Sequence, residues 1–445
     1  MKPARSGVRG MLVAAAVVLM LVAAAPPALR AQSLSALDRD RARGMLDVIK
    51  GALKDNYYDP SYHGMDVDTR FKAAKEKLDS ATSLGHAFAI IAQALVELND
   101  SHTSFLPPPR AARVDYGWRM QAIGDRAFIV AVRPGSDAEK QGVKEGDEIL
   151  SVDGFKPSRD NLWKMVYRYF VLAPAASVKL ELRPPAGEPR TLDVKAKVTQ
   201  LKRVLDFTGQ GSMEDVITYI RDLENAEHYF RHRYYEDMDG VMLWKMPQFD
   251  LMEDKVDEIM GRVKKHKALI LDLRGNTGGY EITWKRLASH LFDTELKVDL
   301  KRRKETKPVV IKPAGNPFKG QLIILVDSRS GSSSEIIARL VQLQKRGTII
   351  GDRSSGKVMR SRVHPFEMGA GSVINYGVSI TDADVIMPDG KSLEGVGVTP
   401  DEMALPSAED MATKRDPVLA RAVALVGLNL TPEKAGTLFP VEWQK

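Results

Sequence analysis

One segment, residues 321–357, reads QLIILVDSRSGSSSEIIARLVQLQKRGTIIGDRSSGK. Its apolar run Gln321–Val326 predicts a buried strand, and a serine-rich turn follows. The apolar spacing from Glu335 to Gln344 predicts an amphipathic helix, and Gly347–Ile350 predicts a second strand. Strands that alternate with helices in this way are typical of an α/β layer structure.

The same alternation extends over residues 241–405. Ala268–Leu271 predicts a further buried strand, and amphipathic helices are predicted at about Glu253–Lys264 and Tyr280–Phe292. We therefore expect an α/β core with a mixed sheet flanked by helices, followed by a helical tail over residues 406–445.

Residues 111–200 have a different character, with short strands and short helices separated by tight turns. The predicted elements are, in order, the strand Ala127–Val132, the helix Asp137–Gln141, the strand Glu148–Val152, the turn Asp153-Gly154, a helix near Asn161–Phe170 and the strand Ser177–Leu182. This order resembles a PDZ domain, and the segment from Pro134 to Gly154 is its most specific part.

PDZ domains bind a peptide C-terminus by adding it to the sheet as a strand, while backbone N–H groups of a glycine-rich loop hold its carboxylate. The resemblance assigns this role to the peptide-binding loop Gly117, Trp118, Arg119 and Met120. Arg119 replaces the usual second glycine. Either it supplies a counter-charge to a carboxylate, or the loop binds an internal peptide segment instead, and both interpretations stay open.

Residues 1–31 are typical of a secretory signal peptide. Lys2, Arg5 and Arg9 precede the apolar run Met11–Ala25, which two prolines follow. The run is shorter than the ~20 residues that a membrane-spanning helix needs. We expect export to the periplasm and no later membrane span, with an uncleaved signal acting as a membrane anchor as the alternative.

The charge balance and the absence of cysteine exclude several classes of function. The signal segment holds four basic residues and no acidic one, so its removal lowers the net charge from +7 to +3. A basic excess this small does not favour nucleic acid as a partner. The chain has no cysteine, which excludes disulfides, thiolate catalysis and cysteine-ligated zinc.

Residues 32–110 show helical spacing, and residues 201–240 are a polar connector for which we also expect helix. In the connector, His228 and His232 lie on one helix face. This spacing can bind zinc, but Tyr229 occupies the place of the glutamate in a His-Glu-x-x-His motif. We therefore expect helix packing rather than a metal site, and we expect no cofactor.

Two loops carry candidate chemistry. The first, LDLRGNTGG at residues 271–279, ends a strand, and its glycines let the backbone turn sharply and expose N–H groups. The second is the serine cluster Ser328–Ser334. Within it Ser332 fits a capping box with Glu335, so this segment alone favours a helix cap over catalysis.

The complete order of strand, serine-rich turn, helix, strand and Gly356-Lys357 resembles the C-terminal processing peptidases, also called tail-specific proteases. The resemblance extends over nearly the whole mature chain and includes Asp100–Phe105 and Gly395–Asp401. It implies that Ser332 is the nucleophile of a serine endopeptidase and that Lys357 is its general base.

The resemblance also implies an oxyanion hole made by the backbone N–H groups of Gly278 and Ser333. Two positions depart from the family pattern: Val358 stands where a glycine usually follows the lysine, and Ser361 replaces the glutamine that orients the amine. The catalytic lysine is therefore expected to be held differently, or turnover to be slow. His102 is interpreted as a structural hydrogen-bonding residue.

A lysine takes a proton from serine only when its amine is neutral. The reference pKa of lysine is ~10.4, so work near pH 7 needs a shift of about 3 units. Desolvation in an apolar pocket produces shifts of that size. Ile349, Ile350 and Val358 are apolar neighbours in sequence that are compatible with such a pocket.

The sequence thus predicts a multidomain α/β (α+β) chain made of a signal peptide, an N-terminal helical region, a PDZ-like domain, a helical connector, a peptidase core and a helical tail, at residues 1–31, 32–110, 111–200, 201–240, 241–405 and 406–445. We expect it to hydrolyse unfolded or C-terminally exposed polypeptides bound by the PDZ-like domain, and the oligomeric state stays open. The alternatives are a non-catalytic peptide-binding scaffold and a small-ligand carrier on the same core.

Overall fold

The computed structural model describes residues 34–109, 112–200, 234–369, 374–441 and 443. The signal segment and the histidine pair of the connector, His228 and His232, lie outside the described residues. Among the residues that are described, no helix combines the length and the apolar character that crossing a membrane requires.

The N-terminal region consists of α1 (Ala36–Asn56), α2 (Val67–Lys77) and α3 (Leu84–Val96), followed by the short strand β1 (Ser104–Leu106). The predicted helical character of this region is confirmed. These helices do not form a core of their own, because Met359 and Val378 belong to the same buried apolar cluster. The N-terminal region therefore folds against strands that lie more than 250 residues later in the chain.

The next region is built on an antiparallel sheet. Its strands, in sheet order, are β3 (Trp118–Ile123), β4 (Arg126–Val132), β5 (Glu148–Val152), β6 (Ser177–Arg183) and β7 (Arg190–Lys195), with β2 (Ala112–Asp115) and β8 (Lys197–Gln200) paired separately. The helices α4 (Asp137–Lys140) and α5 (Leu162–Val166) complete it, and a π-helical turn continues α5 over Tyr167–Leu172. The predicted strand and helix positions agree with these bounds.

The tight turn after β5 is confirmed in detail. Asp153 and Gly154 have φ values of 49° and 79°, the two positive values that a type I′ hairpin turn requires. Strand β3 lies at the edge of the sheet. Among the described residues, no strand of this sheet pairs with the other side of its backbone.

The main sheet has six strands. In sheet order they are β18 (Glu402–Met403), β15 (Thr348–Gly351), β14 (Gln321–Val326), β11 (Ala268–Asp272), β10 (Val241–Lys245) and β9 (Tyr234–Met238). All neighbouring pairs are parallel except β9 with β10. The predicted mixed α/β architecture of this region is confirmed.

Helices cover both faces of this sheet. On one face lie α6 (Glu253–Val263), α7 (Glu281–Leu291) and α8 (Ser333–Leu343), and on the other α10 (Pro417–Leu425) and α11 (Pro432–Leu438). Within β10, Met242 and Trp244 pack into the first layer, whereas Val241 and Leu243 pack into the second. Burial on both faces explains why these strands are continuous apolar runs rather than alternating ones.

A second sheet joins the N-terminal region to the core. It contains β12 (Leu296–Lys301), β13 (Thr306–Ile311), β16 (Met359–Met368) and β17 (Ile374–Ile386), and β1 pairs with β17. The basic run Lys301 to Lys304 forms the tip of the β12–β13 hairpin.

Two details differ from the sequence predictions. The end of the connector, Tyr234–Met238, is a strand instead of a helix; its Tyr235 ring packs against Trp244 of β10 with ring centroids 6.0 Å apart. Such an aromatic cross-strand pair favours strand pairing over helix. For the tail we expected one or two helices around Pro417–Val426, but its described residues form three, because the short α9 (Ala408–Ala412) precedes the others.

Candidate active site

Three loops meet at one edge of the main sheet. They follow the parallel strands β11, β14 and β15 and span residues 273–280, 327–332 and 352–358. Because the carboxyl ends of neighbouring parallel strands lie at the same edge, the serine cluster falls between the glycine loop and the Gly-Lys loop. The backbone joins them: Gly331 N–H donates to Asn276 O, and Ser332 N–H donates to Lys357 O, both at 2.9 Å.

The backbone of Ser332 is strained. Its φ of 51° and ψ of −114° lie outside the regions that residues with a side chain normally adopt. The glycine loop packs directly on it, since a Cβ placed on Gly278 would lie 2.6 Å from the Cβ of Ser332. Only glycine fits at position 278, and strained residues that sit in closely packed loops cluster at functional sites.

The capping-box pairing of Ser332 with Glu335 is present: the Glu335 carboxylate accepts the Ser332 N–H at 3.0 Å. The same buried carboxylate also accepts the N–H groups of Gly356 and Lys357, at 2.8 and 2.9 Å, and the Ser354 hydroxyl at 2.5 Å. Glu335 therefore does more than cap a helix, because it ties the serine cluster to the Gly-Lys loop. Burial raises the pKa of Glu335 above its ordinary value, although the accepted hydrogen bonds oppose this.

The side chain of Lys357 faces an aromatic ring. Its Nζ lies 5.3 Å from the centroid of Trp163, a residue of α5 in the preceding region. The neighbours Ile349, Ile350 and Val358 are fully buried. Trp163 could not be identified from the sequence, because nothing in its local pattern predicts a contact with a loop that lies nearly two hundred residues later in the chain.

A hydrogen-bonded chain of three polar side chains contacts the Gly-Lys loop at Val358. His102 Nδ1 lies 2.8 Å from the Ser101 hydroxyl, which donates to Glu394 at 3.0 Å. Glu394 also accepts the N–H groups of Ser101 at 2.8 Å and of Val358 at 2.9 Å. Sequence reasoning missed Glu394 because it lies 293 residues from Ser101, and only the adjacent Ser-His pair gave a local signal.

Both ionisable ends of this chain have displaced pKa values. Burial lowers the pKa of His102 to about 4; the charge of Lys357 acts in the same direction, and that of Asp100 opposes it. Burial raises the pKa of Glu394 to about 7, although its hydrogen bonds with Ser101 and Val358 oppose the change. His102 is therefore neutral at pH 7.

Gly278 and Ser333, the residues predicted to form the oxyanion hole, both lie next to Ser332. The N–H group of Gly278, however, already donates a hydrogen bond. Gly278 N–H donates to the side-chain oxygen of Asn276 at 2.9 Å, and Ser333 is the first residue of α8. Ser361 occupies the position of the glutamine that orients the lysine in the family pattern. Its hydroxyl accepts a hydrogen bond from the Ser379 hydroxyl on the neighbouring strand, at 3.0 Å.

The predicted peptide-binding loop is tightly packed. Gly117 has φ +75°, and a Cβ there would lie 2.4 Å from the Ser136 side chain, so glycine is required. Trp118, Arg119 and Met120 are all buried. The Arg119 guanidinium donates to the Trp118 carbonyl at 2.9 Å.

The region carrying this loop contacts the main sheet close to Ser332. Gln121 donates to Asp327 at 2.8 Å, and the Ala122 carbonyl accepts from the Ser328 hydroxyl. On the Gly-Lys loop, Asp352 accepts the Gly124 N–H at 2.9 Å and pairs with Arg159 at 3.1 Å. Strand β3 therefore leads from the peptide-binding loop to the serine cluster.

Comparisons with known proteins identify a family of peptidases to which this chain is similar. The model of Peptidase family S41 matches residues 241–404. Carboxyl-terminal-processing peptidase 1 of the Arabidopsis thaliana chloroplast is 24% identical over 383 residues, covering 82% of this chain and 71% of that relative. A tail-specific protease of Haemophilus influenzae is 26% identical over 342 residues, covering 72% of this chain and 46% of that relative.

Among solved structures, mature CPAF superposes with a TM-score of 0.61 at 17% sequence identity. The match covers 84% of this chain and 94% of that one. At this identity the likeness concerns the fold, which the two proteins share over most of their length.

Proposed function

We propose that Ser332 is the nucleophile of a serine peptidase of the C-terminal processing type, since residues 241–404 match the model of Peptidase family S41 and the relatives are peptidases of this type. One observation carries the assignment: Ser332 is the strained residue at which the glycine loop and the Gly-Lys loop meet. The proposed reaction is hydrolysis of peptide bonds in unfolded or C-terminally exposed polypeptides.

The proposed chemistry is acyl transfer to the Ser332 hydroxyl. An oxyanion would form beside the start of α8, where backbone N–H groups and the helix dipole stabilise negative charge. We assign it to the N–H groups of Ser333 and Gly278. Because Gly278 N–H already donates to Asn276, the oxyanion would share this donor with the Asn276 side chain.

Lys357 is the first candidate for the general base. It precedes the fully buried Val358, and an apolar surrounding would favour a neutral amine, since desolvation disfavours the charged form. The Trp163 ring acts in the opposite direction, because the face of an indole stabilises a cation. We infer that Lys357 becomes an effective base once Trp163 moves away from it.

His102 is a second candidate for the base, and the hydrogen-bond chain favours it. The Ser101 hydroxyl has one hydrogen, which it donates to Glu394, so the bond between Ser101 and His102 uses a hydrogen on Nδ1. That tautomer leaves Nε2 as a proton acceptor. A neutral imidazole whose Nδ1 is held by a hydroxyl can act as a general base through its other ring nitrogen.

The region of residues 112–200 is proposed to be a PDZ-like module that holds the substrate. Its edge strand β3 offers backbone groups to an added strand, which is how such modules bind peptides. The far end of β3 contacts Asp327 and Ser328, so a peptide held near residues 117–120 lies about one strand length, roughly 20 Å, from the serine cluster.

We place the mature protein in the periplasm because of its signal-like N-terminus, with an uncleaved anchor as the alternative. Its proposed partners are polypeptide substrates and not nucleic acid.

The decisive experiment incubates the chain from residue 32 onward with a disordered protein, alongside Ser332→Ala, and maps new termini by mass spectrometry. We expect new termini with the parent chain only, and labelling of Ser332 by a serine-directed acylating probe. Peptide binding without new termini would instead support the non-catalytic scaffold.

A further inference from the structure

An aromatic side chain of the C-terminal tail contacts two guanidinium groups on the proposed peptide-binding module. The ring centroid of Trp443 is 5.0 Å from the Arg119 guanidinium carbon and 4.6 Å from that of Arg133. Each distance is within the ~6 Å at which a cation attracts the face of an indole. Trp443 is partly buried there, so it is more than a loose surface contact.

The two guanidinium groups are held in place by the module itself. Asp115 pairs with Arg133 at 2.8 Å and with Arg119 at 3.5 Å. Burial acts to raise the pKa of Asp115, but the charge of Arg119 and the Gly117 N–H outweigh it, so this pKa lies below its ordinary value. Asp115 is therefore ionised at neutral pH, and one carboxylate orients two cations.

A second aromatic ring contacts Arg119. The Arg119 guanidinium lies 5.4 Å from the Phe170 centroid, and Phe170 packs edge-on against Tyr116 at 5.3 Å. Arg119 therefore contacts both Phe170 and Trp443, and a guanidinium group stacks readily on aromatic faces. Trp443 is the ring that Arg119 and Arg133 both contact.

The contact of Trp443 with the two arginines lies at the loop that is proposed to bind peptides. Arg119 is part of the loop to which the proposed function assigns peptide binding, and Arg133 N–H donates to the carbonyl of Gly117 in that loop at 2.8 Å. We propose that Arg119 and Arg133 form a site for an aromatic residue of a polypeptide, which Trp443 fills in cis and an aromatic residue of a substrate fills in its place. This inference rests on the proposed function, because it specifies a substrate feature that the module recognises.

The short link between α11 and Trp443 gives the tryptophan a high effective concentration at the two arginines. Helix α11 ends at Leu438, and the five residues to Trp443 span at most about 17 Å. A short tether holds its group at an effective concentration on the order of millimolar. A substrate segment must compete with this occupant, so binding favours polypeptides with a well-placed aromatic residue.

Binding of a fluorescein-labelled peptide tests the proposal without any hydrolysis. The peptide carries the sequence of residues 436–445, GTLFPVEWQK, and anisotropy is measured with Ser332→Ala and with Ser332→Ala/Trp443→Ala. We expect the double variant to bind the peptide at least about tenfold more tightly, because its site is empty. The peptide with alanine in place of tryptophan should bind the double variant about tenfold more weakly than the original peptide.

Matched arginine variants identify the site. In the Ser332→Ala/Trp443→Ala chain, Arg133→Gln should weaken peptide binding about fivefold or more. Arg126→Gln is the control, since Arg126 stacks on Phe128 of the same module at 5.0 Å but outside the site, and should leave binding unchanged. Equal affinities of the tryptophan and alanine peptides, or of the single and double variants for the tryptophan peptide, would overturn the proposal. Because binding alone is measured, either result is distinct from a failure of Ser332 to catalyse hydrolysis.

Discussion

The main chains of Ser332 and Lys357 are joined by a hydrogen bond of 2.9 Å, from the serine N–H to the lysine carbonyl oxygen. Glu335 reinforces this contact, because its carboxylate accepts the N–H groups of both residues. The serine cluster and the Gly-Lys loop therefore depend on one buried acceptor for their relative position.

We expect Glu335→Gln to reduce both stability and activity. The amide replaces one acceptor oxygen with a donor that would face backbone N–H groups, leaving buried donors without a partner at a cost of about 1–3 kcal/mol each. The urea midpoint should fall, and kcat/KM should fall by at least about tenfold. The exposed Glu367→Gln is the matched control, with a change within about 0.5 kcal/mol. Wild-type activity in Glu335→Gln would show that the carboxylate does not position the site.

Replacing His102 tests the second candidate base. His102→Gln keeps a polar side chain of similar length but lacks a basic nitrogen, so we expect kcat/KM to fall by about 10²–10⁴. Circular dichroism and the urea midpoint would verify that the fold is retained. A loss below about threefold in His102→Gln, together with inactivity of Lys357→Met, would assign the proton transfer to Lys357 alone.

The lowered pKa of His102 also predicts a pH dependence of stability. Its folded value of about 4 lies below the ordinary 6.5, so the unfolded chain binds more protons between these values. The contribution of His102 is complete above pH 6.5 and is lost as the pH falls toward 4. Urea midpoints from pH 7 to 4 should therefore fall more steeply for the parent chain than for His102→Gln. Parallel curves would contradict the lowered pKa.

The sequence predicted those parts of the fold that depend on local pattern. The continuous apolar runs of the main sheet follow from periodicity, and the Asp153-Gly154 turn follows from turn chemistry. The shared core of the N-terminal helices could not be predicted, because pairs such as Phe105 with Val378 leave no local signal. The same reason hid Glu394 and Trp163, whose partners lie far away in the chain.

The contact between Trp163 and Lys357 predicts a gain of activity. Because the face of an indole stabilises a cation by about 0.5–2 kcal/mol, its removal should favour the neutral amine that acts as a base and should expose the site. We expect Trp163→Ala to raise kcat/KM for a short fluorogenic peptide about two- to tenfold. Trp163→Phe keeps a ring at this position and should change the rate less. A lower rate in the alanine variant would mean that Trp163 supports the site instead of restraining it.

A network of ion pairs with buried and partly buried members links the glycine loop to the tail. Arg274 binds Asp272 at 2.8 and 3.0 Å and Asp416 at 2.7 and 2.9 Å, and Lys245 pairs with Asp272 at 2.9 Å. Burial acts to raise the pKa of Asp416, but the charge of Arg274 outweighs it and lowers that pKa. Asp416 also caps α10, since its side chain accepts the Leu419 N–H at 2.9 Å. One side chain therefore has two separable roles.

Asp416→Asn separates them, because asparagine is as good an N-cap as aspartate but carries no charge. Breaking a buried ion pair costs about 3–5 kcal/mol, and the remaining contact of Arg274 with Asp272 reduces this to about 2–3 kcal/mol. Asp416→Ala should lose about 1 kcal/mol more, the contribution of the cap. Glu402→Gln is the control, because the pair of Glu402 with Arg421 is at the surface, where solvent screens it, and its loss should change the stability little. If urea unfolding gave equal losses for Asp416→Asn and Glu402→Gln, the buried charges would not be what anchors the loop.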